Sequence, residues 1–181
     1  MRWVLFIILG YAVVLIQTTI GRIVLFEGLT TGPFGPDFLA VVAVFVALNV
    51  RGLFDAMIAA WLLGLALDLT TGGAGRCVGP MALAYALAGG AVYQLREAFF
   101  FRRALPQMFL AMVFCFIAHG VYVTLQSLLA WNFRAYGREL VQVMLISLCT
   151  AVVMPVGHFL LHRCRRWIIA PAPGRSRGQR R

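Results

Sequence analysis

The chain contains very little charge for its length. Only 12% of its 181 residues are charged, six residues are acidic, and lysine is absent, so that all 16 basic residues are arginine. A soluble domain carries about a quarter charged residues, which this sequence does not approach. Hydrophobic residues make up 62% of the chain and its mean hydropathy is +0.89. This composition excludes an ordinary soluble domain and predicts a multi-spanning membrane protein.

Paired cysteines are also lacking. The four cysteines stand singly in apolar or flanking segments, at Cys77, Cys115, Cys149 and Cys164. This spacing excludes a disulfide framework and a zinc site of paired cysteines, and favours small buried hydrophobic side chains. The remaining metal-site alternative is His158 with His162, four residues apart, and Cys164 as the third ligand. The preferred prediction is that the chain holds neither a metal nor a cofactor.

Six apolar runs predict an all-α bundle of about six transmembrane helices. A helix rises about 1.5 Å per residue, so roughly 20 residues cross a hydrocarbon layer of about 30 Å. The second run is too short for this and is interpreted either as a short crossing or as a re-entrant segment. The first run has no small-residue cleavage pattern and is predicted to remain as an anchor. The runs are residues 3–20, 38–48, 53–70, 78–95, 105–131 and 140–161.

The distribution of arginine predicts the orientation of these runs. With the N-terminus in the cytoplasm and six crossings, twelve arginines lie inside and four outside, although seven of the twelve belong to the C-terminal tail. This bias agrees with the positive-inside rule and places both termini in the cytoplasm. Residues 1–161 are predicted to form one transmembrane domain. Residues 162–181 are predicted to be a disordered basic tail that lies against anionic lipid and does not bind nucleic acid.

A stripe of small side chains runs along the third apolar segment. It consists of Gly52, Ala56, Ala60 and Gly64, and it leads to Asp68. A spacing of four residues keeps these positions near one helix face. Small residues allow helix backbones to approach closely in lipid, where dispersion holds helices together. The stripe therefore predicts a helix-packing seam with a carboxylate at its end.

The two carboxylates of this segment need different explanations. Asp55 lies in the first helical turn, where the helix dipole favours a negative charge. Asp68 lies in the last turn, where the dipole disfavours it, so its charge requires a partner. Two interpretations stay open: an internal pair with Arg76 or another outside arginine, or a role in docking a partner protein. A catalytic role is disfavoured, because no second acid, base or nucleophile stands at a matching spacing.

The last three runs carry further patterns. The fourth is rich in glycine and alanine on several faces, which predicts a central position in the bundle. Polar residues follow helical spacing in the fifth and sixth runs and favour hydrogen bonds between these two helices. The alternative is that they line a cavity for a small molecule, with His119, Tyr122, Gln126 and Thr150 as its ligand-facing residues. The two polar stripes are Cys115, His119, Tyr122 and Gln126 in one run, and Ser147, Thr150, Met154 and His158 in the other.

Several of these residues match a known family pattern. Pro36, Asp37 and Phe38 lead into an aliphatic run that ends in Ala47 and Leu48. The third run contains the pattern G-x-x-x-D-L-x-x-G, formed by Gly64, Asp68, Leu69 and Gly72, and Pro155 lies within the last run. With the Gly/Ala-rich fourth run, these residues resemble the rod shape-determining protein MreD family.

The resemblance implies a non-enzymatic scaffold in the bacterial inner membrane. It implies six helices in a fold similar to the substrate-binding subunits of energy-coupling-factor vitamin transporters. It also implies that the chain binds MreC, and so helps to link cytoplasmic MreB filaments to the RodA-type polymerase and its transpeptidase during peptidoglycan synthesis. Partner binding or packing would then involve Pro36, Asp37, Gly52, Ala56, Ala60, Gly64, Asp68, Gly72 and Pro155. The runner-up interpretation is a substrate-binding membrane subunit of a vitamin-type transporter.

Overall fold

A computed structural model describes six helices and one short hairpin. The described residues are 3–19, 26–28, 32–50, 52–71, 78–96, 104–129, 131 and 136–168. Within them, the order is α1 (Trp3–Thr19), β1 (Phe26–Gly28), β2 (Gly32–Phe34), α2 (Phe38–Asn49), α3 (Leu53–Thr71), α4 (Pro80–Leu95), α5 (Ala104–Leu129) and α6 (Tyr136–Ile168). The predicted helical architecture is therefore confirmed.

Three of these helices are long and apolar enough to cross a membrane. The qualifying segments are Leu53–Thr70 of α3, Leu105–Leu129 of α5 and Tyr136–Arg163 of α6. Helices α1 and α2 are apolar but shorter. Large apolar side chains remain exposed along the outer faces of the helices, as expected where the surroundings are lipid. The chain is thus a helical membrane protein.

The short helix α2 occupies the centre of the bundle. It packs against α1, α3, α4, α5 and α6, and every side chain from Leu39 to Ala47 is buried. A helix that is apolar on all sides needs a low-polarity environment around its whole circumference, and here the neighbouring helices supply it. Gly157 of α6 permits the closest approach, because a methyl group at that position would lie 2.5 Å from Cγ1 of Val41. At twelve residues, α2 is about 18 Å long.

Both ends of α2 have polar partners inside the bundle. The Asp37 side chain accepts a hydrogen bond from the backbone N–H of Ala40 and so caps the N-terminus. At the other end the Arg96 guanidinium donates to the carbonyl oxygens of Val50 and Ala47, and its carbon lies 3.8 Å from the centre of the Tyr93 ring. A carboxylate at the N-terminus and a guanidinium at the C-terminus both complement the helix dipole. A helix that ends within the bundle requires such partners, because its terminal backbone groups have none within the helix.

Helices α3 and α4 pack closely through small residues on both sides. A methyl group on Gly64 would lie 2.7 Å from the carbonyl oxygen of Met81, and one on Gly89 would lie 2.7 Å from Cβ of Ala60. Ala56 and Ala60 are fully buried in the same interface. The small residues of both helices thus allow direct contact between their backbones.

Four details differ from the sequence-based predictions. Gly52 precedes α3 and accepts the N–H of Ala56 at its start, so it lies at the end of the helix and not within the seam. The central helix is α2, whereas α4 packs against α2, α3 and α5. The segment between the first two apolar runs, which the sequence predicts to be a loop, contains the antiparallel hairpin of β1 and β2, whose short glycine- and proline-containing strands lack an alternating pattern. Helix α6 continues to Ile168, beyond the predicted end of its span at residue 161, so residues 162–168 of the predicted disordered tail are helical.

Candidate functional site

Asp37 is the centre of a buried polar cluster. One carboxylate oxygen accepts the Ala40 N–H at 3.1 Å. The other accepts the hydroxyl of Tyr85, from α4, and lies 3.1 Å from Nε2 of His119, from α5. Asp37 is only 4% exposed, so these groups replace the water that the carboxylate would otherwise bind.

Helix α6 reaches the same cluster through Thr150. The backbone N–H of Asp37 donates to Oγ1 of Thr150 at 2.9 Å, and this hydroxyl donates in turn to the carbonyl of Ile146 at 2.8 Å. We refer to Asp37, Tyr85, His119 and Thr150 as the Asp37 cluster. Its hydrogen bonds join α2, α4, α5 and α6 at one point.

Helix α1 is connected to the same end of α2 by Gln17. Its side-chain oxygen accepts the N–H of Phe38 at 2.8 Å, and its amide nitrogen donates to the carbonyl of Pro36 at 3.4 Å. Pro36 is itself buried. Gln17 is not among the residues that the sequence analysis predicts, although an amide side chain near the end of a largely apolar helix indicates a polar partner.

The sequence-based selection found part of the Asp37 cluster. Asp37 was chosen from the family resemblance, and His119 and Thr150 from the polar stripes. The structure brings all three together through Asp37. Tyr85 was missed, although it is the one large polar side chain in the small-residue region of α4. A buried tyrosine hydroxyl needs a hydrogen-bond partner, so a tyrosine in this apolar region indicates a polar group on another helix.

A cavity of about 340 Å³ lies between α5 and α6, next to this cluster. His119, Tyr122 and Gln126 line it, as the alternative prediction proposed, whereas Thr150 is buried in the Asp37 cluster and is not among its lining residues. Three apolar side chains complete the wall together with two polar residues of α6 that the sequence analysis did not select. The additional lining residues are Val123, Glu139, Gln142, Val143 and Ile146.

Asp68 forms a second polar connection, between α3 and α4. One of its carboxylate oxygens accepts the N–H of Gly79 at 2.9 Å and that of Ala82 at 3.1 Å. Gly79 precedes the first residue of α4 and has no side chain to cap it, so Asp68 supplies the cap from a neighbouring helix. Asp68 is 6% exposed. This arrangement explains how a carboxylate is stabilised in the last turn of α3, and the alternative partner Arg76 lies outside the described residues.

Substitution of Asp68 tests this cap. Asp68→Ala leaves two amide hydrogens at the start of α4 without an acceptor and should lower the free energy of unfolding by about 1 to 2 kcal/mol. Asp68→Asn keeps an acceptor oxygen and should lose clearly less. Thermal unfolding in detergent, followed by circular dichroism, measures both. Asp55→Ala is the control, because Asp55 also lies at a helix end but has no such contact with another helix in the part of the chain that the structure describes. Equal losses for the alanine and asparagine variants would contradict the capping role.

The other selected residues have varied positions. Ala56, Ala60 and Gly64 lie in the α3–α4 interface. Pro155 lies within α6 and is partly buried. Gly72 lies outside the described residues.

His158 and His162 have ring centres 6.2 Å apart, while the Cys164 side chain is outside the described part. Within the described ranges, no group of three or more His, Cys, Asp or Glu residues is arranged to hold a metal ion.

Comparison with known proteins gives no relative for this arrangement. No family model, no curated protein and no solved structure matches the chain.

Proposed function

We propose that the chain is a non-enzymatic scaffold of the cell-elongation complex in the bacterial inner membrane. In this proposal it binds MreC and helps to couple MreB filaments to peptidoglycan synthesis by the RodA-type polymerase and its transpeptidase. The observation that carries the proposal is the use of Asp37 and Asp68, the two carboxylates of the family-like motifs. Each caps a helix inside the bundle, so both contribute to a rigid framework.

The surroundings of Cys115 also favour a scaffold over an enzyme. Cys115 precedes His119 by one helical turn, and His119 contacts Asp37, which brings a thiol, an imidazole and a carboxylate into one region. Nucleophilic catalysis requires access of the substrate to the thiol. Cys115 is completely buried, and it is not among the residues that line the cavity.

The proposed topology has six crossings with both termini in the cytoplasm. It rests on the positive-inside bias and on the alternation of the helices. In this orientation the C-terminal end of α3 and the N-terminal end of α4 face outward. Asp68 is buried there, whereas the adjacent Leu69 and Val78 are 66% and 57% exposed. These two apolar side chains are therefore the proposed contact with MreC at the outer end.

Site-specific photo-crosslinking tests this contact. A photoreactive residue at Leu69 or Val78, in the full chain expressed with MreC from the same genome, should give a crosslinked product with MreC. The same residue at Leu105, which is 77% exposed at the opposite end of the bundle, should not. Absence of a product at both outer positions, in protein that unfolds like the wild type, would contradict the proposed contact. Complementation of rod shape by the same variants shows whether crosslinkable protein is functional.

A second candidate function is a substrate-binding subunit of a vitamin-type transporter. The cavity between α5 and α6 favours it, because its volume lies within the range of roughly 300 to 1,000 Å³ that small-molecule sites occupy. A stabilising thermal shift with a vitamin, in purified full-length protein, would support this candidate.

A further inference from the structure

The wall of the cavity between α5 and α6 combines one carboxylate with neutral hydrogen-bonding side chains. The amide nitrogen of Gln126 donates to the hydroxyl of Tyr122 at 3.4 Å, which leaves the carbonyl oxygen of Gln126 as its unused acceptor. Glu139 adds a carboxylate with acceptor capacity only. The amide and hydroxyl groups of the wall can donate as well as accept, whereas the carboxylate of Glu139 can be paired only by a donor, which the ligand must bring.

His119 contributes to the same character. Its Nε2 faces the carboxylate of Asp37, which can only accept while it is ionised, so Nε2 carries the hydrogen of this contact. In the neutral imidazole the other ring nitrogen is then an acceptor. His119 is 12% exposed in its side chain and is the lining residue that joins the cavity to the Asp37 cluster.

The described residues that line or adjoin the cavity give it a negative charge in either state of His119. With neutral His119, the Asp37 carboxylate behind the wall and the Glu139 carboxylate in the wall both contribute negative charge. With protonated His119, the Asp37–His119 pair is neutral and Glu139 still contributes. Among the described residues, no arginine lines the cavity and none forms an ion pair with Glu139. Arg138, next to Glu139 on α6, is exposed and does not line the cavity.

The helix dipoles at this end of the bundle largely offset each other. The cavity lies beside the last turns of α5, whose carbonyl groups favour a cation, and beside the first turns of α6, whose N–H groups favour an anion. The side chains therefore determine the preferred ligand. The ring of Tyr122 offers an additional surface for a cation.

We propose that this cavity binds a small organic cation through an ammonium or guanidinium group, with Glu139 as its counter-ion. The carbonyl oxygen of Gln126 and the acceptor nitrogen of His119 receive its remaining hydrogen bonds. The site belongs to the isolated chain, so its occupation does not depend on MreC.

A matched series of ligands tests the chemical class. The purified full-length protein is heated in detergent with butylamine, butanol or butyrate, which share a four-carbon chain and differ in charge. Butylamine should raise the unfolding temperature, whereas butanol and butyrate should not. Equal shifts with all three compounds, a larger shift with butyrate, or no shift with any of them would overturn the proposal.

Equilibrium dialysis with agmatine, which carries an ammonium and a guanidinium group, tests the residues. Glu139→Gln should weaken binding about tenfold, the effect expected from the loss of one charge-assisted hydrogen bond. Asp55→Asn removes the same charge from α3, away from the cavity, and should stay within about twofold of the wild type. Unchanged binding by the Glu139 variant, or equal losses in both variants, would overturn the assignment of Glu139.

A further arm separates a free cation from a basic side chain of a partner. If the site takes a free amine, agmatine binds the isolated chain and leaves the crosslinking of MreC at Leu69 unchanged. If it takes a lysine or arginine side chain of MreC, agmatine reduces that crosslinking and Glu139→Gln does the same. Both outcomes keep the cation site. Absence of the crosslink in the wild-type chain without agmatine, together with normal binding of agmatine, would contradict only the scaffold proposal.

Discussion

Gly64→Ala is expected to lower the free energy of unfolding by about 3 kcal/mol, at the upper end of the usual range for overpacking. The added methyl group would lie 2.7 Å from the carbonyl oxygen of Met81 and 2.8 Å from both Cα of Ala82 and Cβ of Tyr85. Two of these atoms belong to the backbone of α4, so a change of rotamer cannot relieve the contact. The helices must separate. The separation would also stretch the hydrogen bonds from Gly79 and Ala82 to Asp68, one turn further along α3.

Two glycines provide matched controls for this substitution. A methyl group on Gly120, in α5, has no neighbouring atom within 4 Å, so Gly120→Ala should be neutral or stabilising by roughly 0.5 to 1 kcal/mol. Gly90 lies in α4 itself, but the atoms nearest to a methyl group there belong to the flexible Met57 side chain, at 3.4 Å. Denaturant unfolding of the purified full chain, followed by circular dichroism, measures all three variants. If Gly64→Ala has the same free energy of unfolding as the two control variants, the proposed close packing of α3 and α4 is wrong.

Asp37→Ala is expected to be at least as damaging, with a loss of about 3 to 5 kcal/mol. The substitution removes the acceptor for the Tyr85 hydroxyl, the His119 imidazole and the Ala40 N–H together. These groups are buried or nearly buried, so water cannot easily replace the carboxylate. The start of α2, which the other helices enclose, would lose its cap as well.

A double-mutant cycle distinguishes a coupled cluster from a set of separate contacts. Tyr85→Phe removes one hydroxyl with little change of volume and should lower the free energy of unfolding by about 1 to 3 kcal/mol. Asp37→Ala with Tyr85→Phe should then lose less than the sum of the two single variants, because the double variant has no orphaned hydroxyl. Strict additivity would contradict direct coupling between Asp37 and Tyr85. Asp55→Ala is again the control, since Asp55 is partly exposed and has no part in the cluster.

The sequence predicts the seam residues of α3 more completely than the residues of the polar cluster and the cavity. Ala56, Ala60 and Gly64 were accessible because a spacing of four residues is a local property of one helix. Glu139 and Gln142 were missed because Glu139 lies just before the sixth apolar run and Gln142 lies in its first turn, where a polar residue does not stand out from the adjoining loop. Tyr85 and Gln17 were missed for a different reason. Their importance depends on the position of Asp37, which lies far away in the chain.

The sequence by itself determined that this is a helical membrane protein with a close-packed seam on α3. Long apolar runs and a four-residue repeat of small side chains are local features, and their physical consequences follow wherever the helix lies. Only the tertiary structure decided that the short helix α2 is the centre of the bundle, and that Asp37 and Asp68 bind groups from other helices. In a bilayer, both lipid and neighbouring helices are apolar, so the apolar pattern of a helix does not show which of them it faces.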